Sequence, residues 1–207
     1  MQRTTVWSWF VGGLLLLAQS VLGVFAALAV ATGDRVSVAL TLGAALLTAA
    51  ACAVYAWGLR PEESVVARRP AGMAVVLGLG ALGFAQAVWW AGPTGYAGGA
   101  SAAATAALGT VASFILASAA SVAVLRVGVI PRPWSHIPLA ATSLGLGLSI
   151  VFAVALPLLA PGSGSAVGVL PATIPGVVGL VSIVLSRTAQ PTPVAGGSPV
   201  AAALRRG

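Results

Sequence analysis

Residues 36–70 read VSVALTLGAALLTAAACAVYAWGLRPEESVVARRP, and this stretch decides the fold class. From Val36 to Leu59 there is no charged side chain. A helix needs about 20 mainly apolar residues to cross the hydrocarbon core of a bilayer, and this run is long enough. It closes on Tyr55 and Trp57, whose amphipathic rings favour the membrane–water interface. Arg60, Arg68 and Arg69 follow at once, with Glu62 and Glu63 between them. An apolar run emptying into a basic loop is the pattern of a membrane helix leaving the bilayer.

Five further segments repeat it. Residues 6–30, 71–91, 103–125, 138–160 and 166–186 are each long and apolar, so the chain is expected to be an all-α, polytopic integral membrane protein with six transmembrane helices. The last is the weakest, because Pro171 and Pro175 interrupt its first half and predict an unwound or re-entrant outer part. Residues 188–207 mix Pro, Gly, Ala and Thr without periodicity and are expected to form a disordered cytoplasmic tail. Residues 1–31 also imitate a cleaved signal peptide, with Arg3 in front and Ala29-Val30-Ala31 behind. The apolar stretch is longer than a signal core of about 7–15 residues, so it is read as the first span.

Composition agrees. Of 207 residues, 59% are hydrophobic and 6% charged, against about 25% charged in a soluble domain. Mean hydropathy is +1.05. So few ionised groups cannot cover a water-soluble globule. The formal charge of +7 comes from ten arginines with no lysine, and these are not clustered as a nucleic-acid surface requires. They mark one side of the membrane instead. Arg3, Arg60, Arg68, Arg69, Arg126, Arg132, Arg187, Arg205 and Arg206 fall on the N-terminus, the second and fourth loops and the tail. The third and fifth loops carry no charge, and the first holds only Asp34 beside Arg35. By the positive-inside rule both termini are expected in the cytoplasm. The absence of lysine and asparagine, both with AT-rich codons, points to a GC-rich bacterial genome and hence to the inner membrane.

Several chemistries are disfavoured. The acidic residues and His136 all fall in loops, so no titratable group sits mid-membrane to carry a proton relay. One cysteine, Cys52, excludes a disulfide framework or a multi-cysteine metal site, and one histidine excludes bis-histidine haem ligation. The serine loop at residues 162–165 lies on the side opposite His136, so the two cannot form a membrane-embedded serine–histidine pair. Gly78-x-Gly80-x-x-Gly83 matches a dinucleotide-binding string but lies inside a span, where small residues serve helix packing. No enzyme activity, cofactor or metal is expected.

Two features invite a function. Ser101, Thr105, Gly109, Ser113, Ala117 and Ser121 recur every four residues, laying a small, partly hydroxylated stripe along the fourth span. Such stripes let helices approach closely, within a bundle or against a partner or second copy. Gln19 and Gln86 are the most polar side chains within spans, and with Pro171 and Pro175 they outline a candidate solute pocket. The first expectation is a non-catalytic accessory subunit acting through helix–helix contacts in the lipid bilayer. The alternative is a small transporter or solute-binding subunit for an uncharged or lipophilic compound.

Overall fold

The computed structural model describes residues 7–31, 36–59, 64, 66, 68–92, 100–127, 140–141, 143–145 and 166–187. Every regular element among them is an α-helix: α1 Trp7–Ala31, α2 Val36–Trp57, α3 Pro70–Ala91, α4 Ala100–Val127 and α5 Ala166–Leu185. Residues 140–141 and 143–145 are also helical. Four helices hold stretches long and apolar enough to cross a membrane, namely Trp7–Ala29, Val36–Trp57, Pro70–Ala91 and Ala107–Arg126, and α5 adds the shorter apolar stretch Ala172–Leu185. Most of the expected fifth span, and the whole of the expected tail, lie outside the described residues.

The boundaries have local causes. Gly58 stops α2 two residues before the expected end, with φ 69° and its amide donating to the Val54 carbonyl at 2.9 Å. That left-handed turn is the usual glycine stop. Pro70 opens α3, where its missing N–H costs nothing, after Arg69 in extended backbone.

The sixth apolar segment departs from expectation. It is neither unwound nor re-entrant: α5 runs unbroken through Pro171 and Pro175. Proline is tolerated in an apolar helix where neighbours satisfy the freed backbone groups. Here the Ser20 hydroxyl of α1 donates to the Ala172 carbonyl at 2.6 Å, within the proline-disturbed turn.

The helices form a curved row in the spatial order α5, α1, α2, α3, α4, with α1–α5 the most extensive contact. Gly13 sits against Gly179 and Ile183, Ser20 against Gly176, and Gly23 against Ala172. Numbers rise along one helix as they fall along the other, so the pair is antiparallel.

The side chains are sorted inside out. Leu14, Val21, Phe25 and Leu28 of α1 are exposed, as are Leu108, Val111 and Ile115 of α4 and Val177, Leu180 and Val184 of α5. Buried positions belong mostly to small residues, among them Ser20, Ala26, Ser37, Ala44, Ala51, Ala56 and Ala87. Water would reverse this order. Lipid imposes none of that penalty on exposed leucine, and close backbone approach then becomes the main source of helix cohesion.

One end of the bundle is closed. Trp9 of α1, Ala56 of α2, Val76 of α3, Val124 of α4 and Leu185 of α5 meet there in a single cluster. The connector between α2 and α3, expected to be a solvated loop, folds back onto it at its described positions: Val66 is fully buried and Ser64 donates to the Ala56 carbonyl at 2.6 Å. Arg68 takes a left-handed φ of 51°, uncommon for a residue with a Cβ. Its amide donates to Ser64 Oγ at 3.1 Å, and its Nε donates to the Trp57 carbonyl at 3.2 Å, capping the end of α2. A second tie joins Leu59 N–H to Ser8 Oγ at 2.6 Å. Glu62 and Glu63 lie outside the described residues.

Candidate functional site: a cavity on the concave side of the helix row

The concave side of the row holds a cavity of about 530 Å³. That lies within the range of small-molecule sites, roughly 300–1,000 Å³. All five helices contribute to its lining, and Ala141 and Gly145 join it from the helical residues 140–141 and 143–145, Gly145 packing against Ile174 of α5. Leu16, Leu79, Phe114, Ile174 and Val178 make the walls apolar. No charged side chain lines it among the described residues, so nothing there compensates an ionic solute. Thr48, Gln86, Thr110, Ser113, Ser121 and Ser182 supply neutral polar groups.

Gln86 on α3 is fixed by α4. Its Nε2 donates to the Gly109 carbonyl at 2.9 Å and to Ser113 Oγ at 3.1 Å. Because a carbonyl can only accept, the amide orientation is settled: the NH₂ group faces α4 and Oε1 turns elsewhere. Glycine at 109 makes room for this, since a Cβ there would stand 2.8 Å from Nε2.

The small-residue stripe divides. Ser113, Ala117 and Ser121 line the cavity, and Gly109 packs on Gln86 beside it. The Ser121 hydroxyl returns to the Ala117 carbonyl of its own helix at 2.8 Å. Thr105 is exposed, and the Ser101 side chain lies outside the described residues. The stripe's described inner members therefore face α3 and the cavity, leaving the outer face of α4 to Leu108, Val111 and Ile115.

The two glutamines are not brought together. Gln86 and Pro175 line the cavity, while Gln19 sits beside Gly23 and Ala172 in the α1–α5 contact, its Oε1 buried without a partner among the described residues. The Pro171 side chain lies outside the described residues. In the glycine string of α3, Gly80 alone packs closely, 3.0 Å separating its would-be Cβ from Cys52 Cβ; among the described residues Gly78 and Gly83 meet nothing within 4 Å.

Trp9 and Tyr55 line the cavity and were not anticipated there. Tyr55 and Trp57 close the second span and Trp7 and Trp9 open the first, so the sequence alone puts all four rings at the interface. Residues two apart on a helix differ by about 200° in direction, so only one of each pair can face lipid. Trp7 and Trp57 are 51% and 49% exposed, whereas Trp9 is 3% exposed. Tyr55 lies across Gly12, a would-be Cβ of which falls 2.6 Å from its Cζ. The two rings meet edge to face with centroids 6.5 Å apart. Trp9 Nε1 and the Tyr55 hydroxyl are both enclosed and have no hydrogen-bond partner among the described residues, the hydroxyl lying near Ser182. Helical phase within each aromatic pair was the signal that could have found them.

No protein-family model, curated protein or solved structure matches the chain. The site must be judged on its own chemistry.

Proposed function

We propose that this chain is a small membrane-embedded binding protein or transporter for an uncharged or lipophilic compound. The observation that carries this reading is the 530 Å³ cavity, apolar-walled, without lining charge among the described residues, and edged by oriented neutral polar groups. Such a site suits a solute with little to gain from water. The first expectation, an accessory subunit, drew on the small-residue stripe, and the described inner part of that stripe faces α3 and the cavity. The proposed role is non-enzymatic and without a cofactor. The closed end of the bundle carries Arg68, Arg69, Arg126 and Arg187. Basic flanks favour the cytoplasmic face, which supports both termini inside; the proposed place in a bacterial inner membrane rests on the lack of lysine and asparagine.

The test is purification in mild detergent, followed by organic extraction and mass spectrometry. A near-stoichiometric uncharged compound, with no protein subunit at matching stoichiometry, is the expected result. A stoichiometric protein partner and an extract holding only bulk lipid would restore the accessory-subunit reading.

A further inference from the structure

Resting on the cavity reading above, we infer that the compound bound presents a hydroxyl, which bridges Gln86 Oε1 and the Ser113 hydroxyl.

The inference follows from counting donors and acceptors. Gln86 has two amide hydrogens, and both are spent, on the acceptor-only Gly109 carbonyl and on Ser113 Oγ. No hydrogen bond to its Oε1 is found among the described residues. Ser113 Oγ accepts from Gln86 and still has its own hydrogen to donate. Both residues line the cavity. An acceptor and a donor therefore stand side by side at one wall, held by a bond between them. An alcohol O–H satisfies both at once, donating to Oε1 and accepting from Ser113. A ketone can meet only the donor, and a hydrocarbon neither.

The other unpaired polar groups near the cavity do not compete on equal terms. Trp9 Nε1 and the Tyr55 hydroxyl are enclosed, so a ligand reaches them only if a ring turns. They would favour a carbonyl acceptor, which makes the two ends of the cavity distinguishable by experiment.

Three isosteric probes decide it: fluoren-9-ol, fluorenone and fluorene. Binding to the full chain in detergent is measured by equilibrium dialysis and corrected with protein-free micelles. The alcohol is expected to bind about tenfold more tightly than fluorene, with fluorenone close to the hydrocarbon. Gln86→Met should erase the alcohol's advantage, and Ser113→Ala should reduce it. A thermal unfolding midpoint close to the wild type's in both variants shows that the fold survives the substitutions. An alcohol preference that persists in Gln86→Met overturns the inference. So does a ketone bound more tightly than the alcohol, which would move recognition to Trp9 and Tyr55. Equal binding of all three overturns the hydroxyl bridge and leaves the cavity reading intact. If none binds above empty micelles, the cavity reading itself fails and takes this inference with it.

Discussion

The α1–α5 and α3–α4 contacts hold helices together by different means. Between α1 and α5 the backbones nearly touch: a Cβ on Gly13 would stand 2.6 Å from the Gly179 carbonyl, and one on Gly179 would stand 2.6 Å from the Gly13 carbonyl. Between α3 and α4 the contact is smaller, and an amide side chain spans the gap to a carbonyl and a hydroxyl. In lipid no hydrophobic gain favours one apolar contact over another, so cohesion comes from close packing or from interhelical hydrogen bonds. Packing of the first kind leaves no room. Bridging of the second kind tolerates an opening, and the cavity lies beside it.

That contrast is open to direct attack. The largest effect is expected from Gly179→Leu, because the groups its Cβ would strike are the Gly13 carbonyl and the Leu17 amide, backbone that cannot swing aside. Overpacking of this kind costs about 3 kcal/mol or more, read as a large fall in the thermal unfolding midpoint in detergent. A near-normal midpoint would show that α1 and α5 can separate freely. Gly109→Ala should cost about 1 kcal/mol, since the obstacle is the movable end of Gln86 and the loss is the bridge itself. Combined with Gln86→Leu, the two penalties should be markedly less than additive; simple additivity would mean that they do not share one interaction. Ser20→Ala removes the hydroxyl bond to the Ala172 carbonyl and should cost about 0.6 kcal/mol, a typical membrane hydrogen bond. A loss several times larger would make that bond the support of the proline-bearing turn. Gly83→Ala, with nothing within 4 Å of the added methyl, should be neutral or gain about 0.5–1 kcal/mol of helix propensity. Destabilisation there would reveal a neighbour at that face.

Hydropathy made the helices legible to within a few residues, because crossing the bilayer demands an uninterrupted apolar run. Segment 166–186 is α5 within one residue, yet its prolines misled, since the Ser20 hydroxyl that supports Ala172 lies on another helix. Gln86 could be picked out as costly to bury, but its partners Gly109 and Ser113 are set by how α3 faces α4, which no local pattern encodes. Gln19 looked equivalent and sits elsewhere. Trp9 and Tyr55 were hidden by aromatic neighbours two residues away, and the 200° step between them was the overlooked clue. What a linear reading supplies is the list of residues that lipid would punish; which of them meet depends on the order of helices around the row.

The most direct measurement is native mass spectrometry of the intact chain from lipid nanodiscs, comparing the wild type with Ala117→Phe. Ala117 lines the cavity, and a phenyl ring there would intrude on it. The wild type should carry the added mass of one uncharged compound, and Ala117→Phe should lose it while remaining folded. The same adducts on both, or a protein subunit accompanying both with no small molecule on either, would contradict a ligand-binding role for this cavity.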